Sequence, residues 1–356
     1  MRIILLCQYY LPDTGANGQL LSELAAAFVA RGHEVHVVCS RRTYGGGSSG
    51  YPSEEEIDGV LVHRVKTTGL GRRSLLARVA DSLCCYVGIL CRTMSLPRAD
   101  ACLAITMPPF VGLVGCCLRW RGGTSVYLWV MDVFEEALVT FGVIRRNRLP
   151  HRFLSWIAKA LYRRTAGIVS LGEEMTRLLV ATGAPQERIK TIHNWMPNEP
   201  PARIPVEASQ ARRRWGLGDE LTVMYSGNMG LGHELITVVR AIAEARRSLT
   251  FRVVFVGSGQ MAEPTERLCR ELRLEDVSFY PPQPLVSLPD TLAAGHVHLI
   301  GQGTSRYGVS VASKLYGVLA VGRPTLFIGP SDCTPSPFRS PRTADWVTVI
   351  VTELVS

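Results

Sequence analysis

No two of the ten cysteines stand in a C-x-x-C spacing, no run of about 20 apolar residues goes uninterrupted, and no G-x-G-x-x-G closes the first strand-like run. The first absence argues against a zinc site or a disulfide framework. Cys7, Cys39, Cys84, Cys85, Cys91, Cys102, Cys116 and Cys117 lie in apolar runs and read as buried, reduced thiols of a cytoplasmic protein. The second absence excludes a spanning helix: the most apolar stretch, Leu83 to Leu118, is broken by Arg92, Pro97, Arg98, Asp100, Pro108 and Pro109. The third disfavours a nicotinamide dehydrogenase. Ser40 and Arg41 stand after the second strand where that chemistry wants a carboxylate for the ribose. The opening MRIILLCQYYLPD is followed by no small-residue cleavage site and reads as a first β-strand rather than a signal peptide.

What is present describes a globular chain. Of 356 residues 47% are apolar and only 19% charged, and the length fits two domains better than one core. The net charge of +9 comes from arginine clusters such as Arg72-Arg73, Arg145-Arg146 and Arg212 to Arg214, a balance that suits nucleic acid, anionic lipid or a phosphorylated small molecule without choosing among them.

The chain is organised around Leu221 to Arg240, where an apolar run breaks at three glycines and continues with helical spacing. Strand, glycine turn and helix in that order let a phosphate approach unpaired backbone N–H groups. Arg2 to Tyr10, the turn residues Pro12 to Gly18 and the helix Leu20 to Ala30 repeat the plan at the start. Alternating strands and helices follow through both halves and predict doubly wound parallel sheets, which places Asp132, after the strand Ser125 to Met131, at a ligand-binding edge. Helices are expected over Leu75–Leu96, Phe110–Trp120 and Leu154–Arg164. Pro197, Pro200, Pro201 and Pro205 mark a linker. The domains so read are 1–196, a linker 197–205, a partial second domain 206–330 and an atypical tail 331–356.

The ordered motifs LCQYYLPDTGANGQLLSELAAAFVARGHEVHVV, LWVMDVFEEA, LGEEMTRLLVATGAPQERIKTIHNWMP, VMYSGNMGLGHEL, FVGSGQ, VSFYPPQPLVSLPDTLAAGHVHL and SKLYGVLAVGRP resemble a retaining glycosyltransferase of family 4, in the subset that builds bacterial exopolysaccharides. The resemblance runs to about Pro330. It implies the GT-B fold: two Rossmann-like domains facing a cleft, the second incomplete here, with a nucleotide-diphosphate sugar held mainly by the second and a lipid-linked or saccharide acceptor by the first. Gly227, Asn228 and Gly230, with Ser313 at a second helix start, would offer donors to the diphosphate. Lys314 and His233 would supply cations, and Gln283 a contact to the base. Gly15, Asn17 and Gly18 would close on the donor from the first domain. Asp132 and Glu136 fall on the family's acidic positions, where a carboxylate would orient or deprotonate an acceptor hydroxyl. The bland alternatives are an N-cap for Asp132 and a solvated helix position for Glu136. The resemblance further implies a hexosyltransferase-type reaction in a cytoplasmic protein, with no metal or other cofactor and no nucleic acid. Read from its own residues, the stretch Arg72 to Arg92 is either a core helix with solvated arginines or an amphipathic helix in peripheral contact with anionic membrane.

The sequence departs from the family in three places. Gly301 to Ile328 holds no acidic residue, with Tyr307, Val309 and Gly317 near the places where the family carries glutamates; Met131 replaces a polar residue before Asp132; and Ser331 to Ser356, with Pro335, Pro337 and Pro341, does not resemble the family's last helix. Two other readings therefore stay open: a truncated, non-catalytic relative that at most binds nucleotide, and a nucleotide-sugar epimerase on the same fold.

Overall fold

The computed structural model describes residues 1–13, 15–42, 51–66, 75–196, 203–303, 308–328 and 348–350. Most of the Gly/Ser-rich loop expected over Arg41–Pro52, Arg72, Arg73, three of the linker prolines, Tyr307 and most of the 331–356 tail lie outside them. The chain divides into two compact units, Met1–His193 with Gly308–Ser310, and Asn194–Tyr307 with Val311–Ser356.

The first unit runs β1 (Arg2–Leu6), α1 (Ala16–Ala30), β2 (Glu34–Ser40), β3 (Glu54–Ile57), β4 (Val60–Val65), α2 (Leu75–Ser95), β5 (Ala101–Ile105), α3 (Gly112–Leu118), β6 (Ser125–Trp129), α4 (Phe134–Thr140), α5 (Leu149–Tyr162), β7 (Gly167–Ser170), α6 (Glu173–Thr182) and β8 (Ile189–Thr191). Its sheet has the order β3-β4-β2-β1-β5-β6-β7-β8 and is parallel apart from the β3–β4 hairpin. Burial on both faces accounts for the near-continuous apolar strands: Ile4, Leu5 and Leu6 of β1 are fully buried.

The second unit runs α7 (Gln210–Arg214), β9 (Thr222–Ser226), α8 (Leu235–Ala245), β10 (Arg252–Val256), α9 (Ala262–Glu271), β11 (Val277–Tyr280), α10 (Leu288–Ala293), β12 (Val297–Gly301), α11 (Lys314–Ala320), β13 (Thr325–Ile328) and β14 (Thr348–Ile350). Its six strands are all parallel in the order β11-β10-β9-β12-β13-β14. Numbered within the unit, this is the 3-2-1-4-5-6 order of a dinucleotide-type sheet, with its reversal between β9 and β12. The second sheet is thus fuller than the sequence suggested. Thr348–Ile350 pairs beside β13, although the prolines before it hide any periodicity. On α8, Leu235, Val238, Val239 and Ile242 are buried at i, i+3, i+4 and i+7, each worth roughly 1.5–3 kcal/mol of transfer free energy. They pack on Tyr225 and Phe255, whose neighbour Phe279 stacks at 4.9 Å between centroids.

Element ends moved where turn-forming residues serve helices. α1 begins at Ala16, four residues before the apolar spacing does, so Asn17 and Gly18 stand in its first turn rather than in a loop. A side chain at Gly18 would sit 3.1 Å from the Tyr9 carbonyl, which explains a glycine inside that turn. α5 begins at Leu149, ahead of the expected Leu154, because Pro150 occupies a first-turn position that needs no N–H. The thiols are also less uniformly buried than expected: Cys91 is exposed and Cys84, Cys116 and Cys117 are half-buried.

Candidate functional site

In an open parallel sheet, ligands bind beyond the carboxyl ends of the strands where the strand order reverses. In the second unit that point is framed by the loop after β9, which holds Gly227 to Gly230, and the end of β12 at Gly301. Gly227 has φ +132, open only to glycine, and a Cβ on it would lie 3.4 Å from Lys314 Cε and 3.7 Å from Nζ. The Lys314 ammonium stands 3.8 Å above the centroid of the Tyr225 ring and also donates to the Tyr225 hydroxyl, which in turn donates to the Asn228 carbonyl at 2.8 Å. Tyr225 therefore holds Lys314 over the glycine turn. Nothing in the sequence marks Tyr225 for this role, since it sits inside an apolar strand.

His233 is half-buried, its Nδ1 3.4 Å from the Gly301 carbonyl and its ring edge-on to Tyr225 at 6.5 Å. The space beside Gly230 is bordered by Asn228 Nδ2 and His233 Cδ2, at 3.3 and 3.6 Å from where a Cβ would stand. Gly227, Asn228, Gly230, His233 and Lys314 thus come together.

The backbone donors are fewer than expected. Gly227 N–H bonds Val256 O at 2.9 Å and Met229 N–H bonds Ser258 O at 2.8 Å, because the next strand's Gly257-Ser258-Gly259 turn packs directly on this one. The N–H groups of Asn228 and Gly230 make no bond to another described residue. Ser313 is exposed and precedes Lys314 in helical geometry. Gln283 folds back, its Nε2 donating to Pro281 O at 2.8 Å; it lies in the loop after β11, with no described contact to Lys314 or the Gly227 turn. Glu234, missed in the sequence, caps α8 in the left-handed region at φ 51 and sets its Oε1 2.5 Å from where a Cβ of Gly303 would be. A carboxylate therefore borders the start of the acid-free 301–328 stretch from a different element. Of the family's acidic places in that stretch, Gly317 is buried with Leu292 Cδ1 3.1 Å from its missing Cβ, and Val309 is buried as well.

In the first unit the strand order reverses between β1 and β5. The loops after those strands meet: Gln8 N–H bonds Met107 O at 2.7 Å, and Asn17 Nδ2 lies 3.9 Å from Met107 Sδ. Gly15 caps α1, its N–H donating to Asp13 Oδ1 at 2.9 Å. Asp132 is half-buried beyond β6, its N–H 3.4 Å from the Thr106 hydroxyl.

Glu136 is not a solvated helix residue. It is buried, one oxygen bound by Arg146 and the other 3.2 Å from His151 Nε2. The Asn147 N–H points at His151 Nδ1 at 3.3 Å, so the imidazole proton belongs on Nε2, facing Glu136. Sequence could not pair Glu136 with residues 10 and 15 positions on, because the turn between α4 and α5 brings them back. Its neighbour Glu135 is 1% exposed and meets the Tyr162 hydroxyl at 3.4 Å, and burial pushes its carboxyl up to about 7. A carboxyl raised from its ordinary 4.5 to about 7 stabilises the fold fully below 4.5 and loses that contribution as pH rises to 7. Glu135→Gln is accordingly expected to leave the melting temperature unchanged near pH 4.5 and to raise it at pH 8, by at most about 3 kcal/mol of stability. Thermal melts at the two pH values check this; an equal effect at both would show that Glu135 does not titrate between them.

His193, His296 and His298 serve the backbone. His193 Nδ1 meets Leu171 O at 3.0 Å, His296 Nδ1 accepts from Thr222 N–H at 3.0 Å, and buried His298, driven down to about 4 by desolvation, donates to Leu292 O at 2.8 Å. Among the described residues no group of three or more His, Cys, Asp and Glu side chains is placed to hold a metal ion, and no helix is long and apolar enough to cross a membrane.

The family model described as a glycosyl transferase 4-like domain matches residues 15–195. Among curated proteins, the chain is 23% identical over 231 residues to a probable glycosyltransferase, WbjE, of Pseudomonas aeruginosa, spanning 65% of this chain and 58% of that protein. It is 23% identical over 336 residues to the putative colanic acid biosynthesis glycosyl transferase WcaI of Escherichia coli (strain K12), spanning 90% of this chain and 82% of the other. Among solved structures, sucrose-phosphate synthase of Thermosynechococcus elongatus superposes with a TM-score of 0.73 at 14% identity, over 99% of this chain and 86% of that one. WaaG, a glycosyltransferase involved in lipopolysaccharide biosynthesis, gives 0.65 at 15% identity, over 99% and 87%. Anabaena HepE, solved with UDP and glucose, gives 0.63 at 12%, over 99% and 86%. At these identities the likeness is one of fold, and that fold is GT-B.

Proposed function

The chain belongs to the glycosyl transferase 4-like family, and on that premise we propose that it transfers a sugar from a nucleotide-diphosphate donor to a saccharide acceptor carried on a lipid, in the synthesis of a cell-surface polysaccharide. One observation carries the reading: the Lys314 ammonium, held on the Tyr225 ring, stands over the Gly227 turn at the point where the second sheet reverses its order. A fixed cation there opposes the charge that builds on a departing diphosphate. The N–H groups of Asn228 and Gly230 and the His233 imidazole are the further donors for it, so the reading asks for no metal.

The first unit takes the acceptor. Asp132 orients the acceptor hydroxyl, and Glu136, tied to Arg146 and His151, fixes α4 behind it. Retention follows when departure and attack use one face of the sugar. The bond from the anomeric carbon to the phosphate oxygen breaks, the bond to the acceptor oxygen forms, and the acceptor proton passes to the departing phosphate. Colanic acid biosynthesis in the name of the Escherichia coli relative supports the polysaccharide class.

Calorimetry with a panel of uridine and guanosine diphosphate sugars is expected to find one that binds, and that donor to be hydrolysed slowly in the absence of acceptor. No binding across the panel would sink the reading. Binding without hydrolysis or transfer would identify a nucleotide-binding relative that does not turn over.

A further inference from the structure

We propose that the outward face of α5, with the turn leading into it, docks on an anionic lipid surface. α5 is apolar on two opposite faces. Its inner face buries His151, Ala158, Leu161 and Tyr162. Its outer face carries Leu149, Phe153 and Trp156, exposed to 79, 60 and 66%, at i, i+4 and i+7. The Phe153 and Trp156 rings stack with centroids 6.3 Å apart. Val143, in the turn before the helix, is exposed to 66%. Exposed apolar surface of this extent on a water-facing helix calls for a partner.

Charge says which partner. From Ala137 to Gly172 the sequence holds six arginines, one lysine and no acidic residue, so this stretch supplies +7 of the chain's net +9. Arg152, Lys159 and Arg163 run beside the aromatic stripe at i, i+7 and i+11, and with Arg145 and Arg148 they form no ion pair among the described residues. A protein partner is ordinarily met by mixed charges. A uniformly cationic rim around aromatic and aliphatic side chains matches a membrane interface, where rings sit at headgroup depth and long cations reach the phosphates.

The contact expected at Arg72 to Arg92 has less support. The outer face of α2 shows Leu83 and Val87, but its Arg92 is engaged by Glu54 and His63. Docking through α5 also has a consequence for the site: His151, on the inner face, holds Glu136, so the lipid surface would lie about one helix diameter, roughly 10 Å, from that carboxylate. That consequence rests on the proposed acceptor site. The docking itself does not.

The test is co-sedimentation of the full chain, without donor, with vesicles of phosphatidylcholine alone or with about a third phosphatidylglycerol. The chain is expected to bind the anionic vesicles and to be released by salt. Phe153→Ser with Trp156→Ser, both exposed and so compatible with folding, should weaken binding at least about tenfold. Arg152→Gln, Lys159→Gln and Arg163→Gln together should remove the preference for anionic vesicles, at about fivefold per cation. Leu83→Ser with Val87→Ser should leave binding unchanged. The proposal is overturned if anionic vesicles bind no better than neutral ones, if the α5 pair binds as wild type, if the α2 pair alone abolishes binding, or if the α5 substitutions instead dissolve a dimer seen by light scattering. Failure of sugar transfer with vesicle binding intact would count against the proposed function only.

Discussion

Lys314→Ala is expected to lower kcat/KM for sugar transfer by roughly 10²–10³, the scale of removing one fixed donor from a developing anion. The change leaves the local fold alone. Lys314 is the first residue of α11, where alanine is the best helix former, and its aliphatic stem is only half-buried. What is lost is the ammonium between the Tyr225 ring and the Gly227 turn. Because the cation meets the diphosphate and not the base, the loss should show as weaker binding of a nucleoside diphosphate and no change for the bare nucleoside. Titration calorimetry of both ligands separates these outcomes. Unchanged diphosphate binding would remove Lys314 from the donor site and with it the main support for the proposed chemistry. Tyr225→Phe keeps the ring under the ammonium but deletes the hydroxyl that Lys314 donates to and that anchors the Asn228 carbonyl. A smaller loss, about tenfold, is expected from it.

The parts of this site that were legible in the sequence are those whose chemistry is local. A glycine turn between a strand and a helix announces itself, and so does the Ser313-Lys314 pair at a helix start. The two sheets were legible because strands buried on both faces read as apolar runs between amphipathic helices. The antiparallel β3 was not: EEEI has no apolar alternation, and it exists because Arg64 and Arg92, on other elements, pair with Glu55 and Glu54. Nor was the state of Glu136, whose partners come from a turn and a helix further on. Tyr225, inside an apolar strand, is fully buried, with its ring face and hydroxyl turned to Lys314. Side chains that act through a long-range partner leave no periodic trace, and α5 shows the converse. The helix was legible over Leu154–Arg164, but which of its two apolar faces is buried shows only in the structure, where His151, Ala158, Leu161 and Tyr162 are covered and Leu149, Phe153 and Trp156 are exposed.

Gly257→Ala is expected to be the most damaging single methyl in the second unit. Gly257 has φ +138, outside the range of other residues, and a Cβ there would lie 2.0 Å from the Gly227 carbonyl oxygen and 2.9 Å from its carbon. Neither atom can yield cheaply. Gly227 is tied by its N–H to Val256 O and Gly257 by its N–H to Tyr280 O, both at 2.9 Å, so the two turns are fixed by the sheet edge they close. Relieving the clash means parting the turns after β9 and β10, which breaks at least one of these bonds and moves Gly227 from beneath Lys314. Together, strain and a lost buried hydrogen bond put the cost at about 3–5 kcal/mol. Gly216→Ala serves as the reference, since Gly216 also has positive φ, +62, but nothing within 4 Å of its missing Cβ. It should cost only about 1 kcal/mol from backbone strain. Chemical denaturation of both variants measures the difference directly. Equal midpoints would mean that the turns do not approach as closely as the structure has them. If Gly257→Ala is the less stable, as expected, its remaining folded fraction should also bind the nucleotide sugar more weakly than the Gly216 variant. The close packing of the two glycine turns is what holds the donor loop beneath its cation.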